Sequence, residues 1–253
     1  MPRIDLQNGE HLDYTLILPR GPKRPKGDAE TLVVYVHGFA SHQRGEKAQY
    51  FRDRFVEDGH AYLAFDQRGH GASGGTMAEL TLSRSIEDLL SVIDAAGTGF
   101  RRIVLLGSSM GGQVAAWAGA KHPDRIAANF LIAPSFFFYE NRLRDLGEAG
   151  MRELEVRGKI RVKNQWVDVT VGRELIEDAR RYRVDDLLSL YRTPTLIFHG
   201  TADESVPYEG SFSFVQRARA RPLDLVLIAG GDHRLSEQKG FLFDVMRDFM
   251  ERL

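Results

Sequence analysis

Gly107-Ser108-Ser109-Met110-Gly111 sets a serine in a G-x-S-x-G frame, with the apolar run Ile103–Leu106 before it and a helical pattern after it. That context exposes a serine hydroxyl at a sharp strand-to-helix turn. Flanking glycines leave room for a strained backbone, and the N-terminus of the following helix favours negative charge beside the hydroxyl. The chemistry such a placement serves is nucleophilic attack by Ser109. The same five residues also suit a plain glycine-rich turn, so partners elsewhere in the chain have to decide. Neither the Gly-Lys-Ser/Thr ending of a phosphate loop nor the G-x-G-x-x-G of a dinucleotide site is present.

A serine hydroxyl is a weak nucleophile at neutral pH; it needs a base, and the base needs a carboxylate to orient it. Among eight histidines, His233 lies in Gly230-Gly231-Asp232-His233-Arg234, just past the last apolar run. The preceding run ends in His199-Gly200-Thr201-Ala202-Asp203, which offers Asp203. Each has an ordinary alternative, Asp203 as a helix cap and His233 as a solvated loop residue. Three such groups, each after a suitable strand and in the order Ser109, Asp203, His233, point together to acyl transfer by a Ser–His–Asp set. The developing oxyanion needs backbone donors, each worth about 2.7–4 kcal/mol in such sites. His37-Gly38-Phe39 ends another apolar run, so the Phe39 N–H and the Met110 N–H are the expected pair. The His37 side chain is expected to be structural.

These groups meet only if their strands end at one rim. Short β-branched runs supply the strands: Ile4–Leu6 and Leu12–Leu18 around the hairpin signal Asn8-Gly9, then Leu32–Val36, Tyr62–Phe65, Ile103–Leu106, Asn129–Ile132, Thr195–Phe198 and Leu223–Ile228. Most are continuously apolar, as expected of strands covered on both faces. Leu82, Ile86, Leu89, Leu90 and Ile93 recur at helical spacing, as do Leu242, Val245, Met246, Phe249, Met250 and Leu253. The helix after Met110 is rich in Gly and Ala and suits close, central packing. Alternating strands and helices predict an α/β fold with a mostly parallel sheet of about eight strands and helices on both faces. Ligands of such sheets gather at the carboxyl ends of the strands. Residues 135–192 break the alternation and are expected to form a small cap insertion over one edge of the sheet, with short strands and then a helix from about Arg173. Residues 1–134 and 193–253 make the core. Phe136, Phe137, Phe138 and Tyr139 open the insertion, and Trp166 lies within it; all five are candidates to bind substrate, with core packing as the ordinary alternative.

The 253 residues are 43% apolar and 27% charged, as in a globular domain with a sizeable core. Thirty-four Lys plus Arg stand against 35 Asp plus Glu, which gives no electrostatic case for nucleic acid or an anionic membrane. The basic stretch Arg20–Lys26 is short and rich in Pro and Gly, and is expected to be a solvated loop. Without cysteine the chain has no disulfide, thiolate ligand or cysteine nucleophile. No signal sequence or membrane span is visible, so a cytoplasmic protein is expected. No metal or organic cofactor is expected, and the partner is a small acyl ester. The oligomeric state, monomer or homodimer, is left open.

The segments HGF (37–39), FDQRGHGASGG (65–75), GSSMGG (107–112), HGTADESVP (199–207) and GDHR (231–234) together resemble the α/β-hydrolase superfamily over essentially the whole chain. The sequence is similar to small-cap carboxylesterases, including bacterial cinnamoyl and feruloyl esterases, and to small acyl-protein thioesterases. Ser108 stands where many relatives carry His. The resemblance implies a serine carboxylesterase acting on short to medium acyl esters, with acyl thioesters or cinnamoyl and feruloyl esters as alternatives and a non-catalytic binding protein as a distant one. It also implies that Asp66, Arg68 and His70 are structural rather than catalytic.

Overall fold

A computed structural model describes residues 2–19, 31–163 and 167–253. The basic stretch 20–26 and Trp166 lie outside the described residues. The chain opens with β1 (Arg3–Asp5) and β2 (His11–Ile17), an antiparallel hairpin whose turn uses Gly9 at φ +83°. Then come β3 (Thr31–Val36), α1 (Glu46–Glu57), β4 (Ala61–Phe65), a 3-10 turn at Met77–Glu79, α2 (Leu82–Ala96), β5 (Arg102–Ser108), α3 (Met110–Lys121) and β6 (Ile126–Ile132). The segment 135–192 holds α4 (Phe138–Arg157), β7 (Lys159–Lys163), β8 (Asp168–Gly172), α5 (Glu174–Ala179) and α6 (Val184–Leu190). The chain closes with β9 (Thr195–Gly200), α7 (Glu209–Arg217), β10 (Leu223–Ile228) and α8 (Lys239–Met250).

Eight strands form one sheet in the order β1-β2-β4-β3-β5-β6-β9-β10. The β1–β2 and β2–β4 pairings are antiparallel and the others parallel, the α/β-hydrolase arrangement. The register is what matters for the site. Val36 pairs with Gly107, Ser108 with Ile132, Ile132 with Phe198, and Gly200 with Ile228. The loops after β3, β5, β9 and β10 therefore leave the sheet at one rim.

Two apolar layers hold the sheet. Phe51 and Phe55 of α1 and Phe243, Met246 and Phe249 of α8 are fully buried against one face. Each such side chain stabilises the fold by about 1.5–3 kcal/mol relative to exposure. On the other face α2 and α3 are joined by Leu175, Leu187 and Tyr191 of the segment 135–192. That segment contains the short strands expected of it, as the antiparallel pair β7–β8, and a helix from Glu174. Helices α5 and α6 lie against α2 and α3, because their apolar stripes have that layer's core to enter.

Candidate active site

Ser109 lies between β5 and α3 with φ +57° and ψ −121°, a conformation that a non-glycine residue keeps only where its surroundings impose it. Its N–H donates to the Ile132 carbonyl at 2.9 Å, and its own carbonyl accepts from Gly112 and Ser135 at 2.9 and 3.2 Å. The turn is tight enough to need glycine on both sides. A β-carbon on Gly111 would lie 2.1 Å from the Val36 carbonyl oxygen, and one on Gly107 would lie 2.4 Å from that of Gly111. The result is a half-buried serine held up from the sheet.

The structure brings the three sequence-predicted groups together. His233 Nε2 lies 3.0 Å from Ser109 Oγ, and His233 Nδ1 lies 2.7 Å from Asp203 Oδ2. A carboxylate only accepts, so Nδ1 carries the proton and Nε2 is left to accept from the hydroxyl. That is the tautomer a general base needs. Asp203 is enclosed, with no solvent exposure of its side chain. Its Oδ1 accepts from the Ser205 and Val206 N–H groups at 2.9 and 2.8 Å. Burial alone would raise its pKa, but hydrogen bonds from His199 and His233, the charge of His233 and the Val206 N–H outweigh it. The carboxyl is held well below the usual range.

The Asp203 and His233 loops form a seam. Gly200 and Gly231 approach so closely that a β-carbon on Gly200 would sit 2.1 Å from the Gly231 carbonyl oxygen. The Ala202 N–H donates to that carbonyl at 2.9 Å, and the Gly230 N–H to Thr201 Oγ1 at 2.9 Å. Asp232 caps the turn beyond His233 by accepting from the Arg234 and Leu235 N–H groups.

The expected oxyanion donors also sit beside Ser109. A β-carbon on Gly38 would be 3.1 Å from Ser109 Cβ, so the Gly38–Phe39 backbone lies directly against the serine. Met110 begins α3, where N–H groups have no intrahelical acceptor. Among the described residues the Phe39 and Met110 N–H groups donate to no protein acceptor. The Gly38 loop is fixed from behind. His37 Nδ1 donates to the Gly38 carbonyl at 2.8 Å, and its Nε2 accepts from the Gln67 N–H at 3.1 Å. Burial and the nearby His70 push His37 down to about 3, so it stays neutral and structural. His70 likewise accepts from the Ala40 N–H, Asp66 accepts from Gln43 and Ala72, and Arg68 pairs with Asp88. All three hold loops in place, as the resemblance implied.

A cleft of about 310 Å³ adjoins this constellation through Val206, next to the Asp203 turn, and Pro134, next to Ser135. Pro134, Phe136, Phe137, Val206 and Pro207 give it apolar walls, with Glu140 and Glu209 among the other lining residues. Phe136 and Phe137 line this cleft, Phe136 with its ring buried and stacked on Phe214 at 4.0 Å between centroids, as core packing would have it. Phe138 and Tyr139 are not among its lining residues. Helix α4 begins at Phe138, and its turn carries that ring into the core, while the Tyr139 hydroxyl accepts from Arg180 Nε at 3.1 Å.

The serine aminopeptidase S33 family profile matches residues 27–166, more than half of the chain. The protein belongs to this family. It is 27% identical over 219 residues to the palmitoyl-protein thioesterase ABHD10, mitochondrial, of Mus musculus, covering 85% of this chain and 73% of that one. A putative hydrolase from Agrobacterium vitis S4 superposes with a TM-score of 0.85 at 26% identity over 98% of this chain and 97% of that chain. Est1E from Butyrivibrio proteoclasticus, solved with ferulic acid bound, gives 0.80 at 25% identity over 100% and 98%.

Two side chains at the site were not singled out from the sequence of this S33-family member. His199 is fully buried, and its Nε2 faces two acceptors, Asp203 Oδ2 at 3.1 Å and the Val206 carbonyl at 2.9 Å. Nε2 therefore carries the proton, and Nδ1 accepts from Ser211 Oγ at 2.8 Å. Its signal was available: a histidine lies next to the end of β9, four residues before the candidate aspartate. Lys47, whose Nζ lies 2.8 Å from Ser108 Oγ, carried no such signal. Among the described residues no cluster of His, Asp and Glu has metal-binding geometry, and no helix is long and apolar enough to cross a membrane.

Proposed function

We propose that this protein is a serine carboxylesterase that hydrolyses short to medium acyl esters through an acyl-enzyme intermediate. The observation that carries this reading is the unbroken hydrogen-bonded line from Asp203 through His233 to a strained, half-buried Ser109. Ser109 Oγ attacks the ester carbonyl as its proton passes to His233 Nε2. Asp203, fixed by four donors, holds the imidazole in the required tautomer and stabilises the imidazolium. The carbonyl oxygen becomes an oxyanion between the Phe39 and Met110 N–H groups. As the tetrahedral intermediate collapses, the alcohol leaves with the proton from His233, and Ser109 remains acylated. Water then attacks the acyl carbon, giving its proton to the same imidazole. The carboxylic acid departs and Ser109 regains its proton.

Specificity is assigned to the cleft lined by Phe136 and Phe137, whose apolar walls suit an acyl chain or an aromatic acid. The likeness to a palmitoyl-protein thioesterase and to an esterase that binds ferulic acid supports a carbonyl substrate with an oxygen or sulfur leaving group. The same machinery accepts an acyl thioester, which is the second reading.

A fluorophosphonate probe tests the mechanism: it should label the wild type at Ser109, and Ser109→Ala should abolish labelling. Competing 4-nitrophenyl esters against an acyl thioester and an aminoacyl anilide then assigns the bond. An unlabelled wild type refutes the serine-hydrolase reading.

A further inference from the structure

The reaction above leaves one charged side chain at the site unused. Lys47 stands in the first turn of α1 and is half-buried. Its ammonium donates to Ser108 Oγ at 2.8 Å. Ser108 is buried, pairs with Ile132 across the sheet and is bonded to the nucleophile's own backbone nitrogen. The lysine thus seats a fixed positive charge one residue from Ser109.

The surroundings tie that charge to the acid–base pair. Lys47 interacts electrostatically with Arg234 and Asp232 from the loop that carries His233, with Asp203 from the loop after β9, and with Glu46 on its own helix. Glu46 is engaged by Lys239 at the start of α8, and Asp232 by the main-chain N–H groups of Arg234 and Leu235. His233 itself faces Asp203 directly, with His199 behind that carboxylate. Lys47, Arg234 and Lys239 are the cations of this set.

We propose that Lys47 is a positioning residue of the site, an ammonium seated on Ser108 that braces the turn carrying Ser109. The inference rests on the serine-hydrolase reading. The charged donor fixes the Ser108 hydroxyl, and with it the peptide whose Ser109 N–H bonds the Ile132 carbonyl. Burial and Arg234, outweighing Asp232 and Asp203, push the lysine down to about 8, so the brace is charged at neutral pH and fades in mild alkali.

The test measures fluorophosphonate labelling and 4-nitrophenyl ester kinetics of the full chain between about pH 6 and pH 10. Lys47→Met should lower kcat by about three- to tenfold at neutral pH with KM little changed, and Ser108→Ala, which removes the seat, should lower it similarly. Lys47→Arg should restore the rate and hold it above about pH 8, where the wild type declines as the lysine loses its charge. If Lys47→Met does not fold, Lys47→Gln, which offers Ser108 a neutral donor, should show the lower kcat without the alkaline decline. A kcat unmoved in the neutral variants, or not restored by arginine, overturns the proposal. Probe taken up at Ser108 in the Ser109→Ala protein also overturns it, since Lys47 would then be activating Ser108 itself. A wild type labelled at Ser109 with kcat unmoved in the variants removes this inference alone, whereas an unlabelled wild type removes the underlying reading with it.

Discussion

Replacing His199 by Phe should unfold the support beneath Asp203 without touching the reacting groups. The ring keeps the volume but removes one donor and one acceptor from a site with no solvent exposure. Three partners lose a hydrogen bond: Asp203 Oδ2, the Val206 carbonyl and Ser211 Oγ. Asp203 retains His233 and two main-chain N–H groups, so its charge stays compensated. The Ser211 hydroxyl, 1% exposed, and the Val206 carbonyl are stranded. Orphaned buried groups cost about 1–3 kcal/mol each, so the loss should be about 2–4 kcal/mol after partial relaxation. Against a total of roughly 5–15 kcal/mol, that moves the urea midpoint visibly at constant slope. Ser211→Ala supplies the control. In the double variant no hydroxyl is stranded, so its loss should fall short of the sum of the single losses by about 1 kcal/mol. A His199→Phe loss below about 1 kcal/mol, or strict additivity, would refute the proposed chain Ser211–His199–Asp203.

Asp203→Asn should cut kcat by about four orders of magnitude with the fold intact, because an amide no longer enforces the Nδ1–H tautomer; single-turnover kinetics with a circular dichroism control measures this. Gly111→Ala drives a β-carbon to 2.1 Å from the Val36 carbonyl oxygen, and should lower stability by about 1–3 kcal/mol in urea denaturation and slow labelling of Ser109. Burial lowers the Lys47 pKa in the fold to about 8 from the ordinary lysine value of about 10.4, so between those values the unfolded chain binds the extra proton and stability should rise with pH. The difference between wild type and Lys47→Met urea midpoints across that window reads this rise directly. Ser213→Trp, at the wall of the cleft, should depress hydrolysis of medium acyl esters while sparing acetate; equal loss on both would remove the cleft from the acyl site.

Every strand of the main sheet was legible, because buried parallel strands are continuous apolar runs. Their ends were less so: β6 begins at Ile126 rather than Asn129, since Ala127 and Ala128 carry little strand signature. Ser109, Asp203 and His233 were legible because each follows such a run at the same rim. Helix α1 was not singled out, and Lys47 with it. In Glu46–Glu57 only Ala48, Phe51 and Phe55 are buried, so its apolar stripe is narrow among charged residues. The aromatic run 136–139 was read as a unit, whereas the start of α4 divides it. Phe136 and Phe137 reach the cleft from the turn before α4, while Phe138 and Tyr139, in its first turn, do not line it. Contacts such as His199 with Ser211 or Lys47 with Ser108 arise from how loops fold over the rim, which no periodicity encodes.

The close backbone approach at Gly200 and Gly231 makes two of the three reacting groups passengers on one rigid body, while the hydroxyl rides on another. A displacement that leaves this seam intact changes the gap between Ser109 and His233 while the imidazole and its carboxylate stay in register.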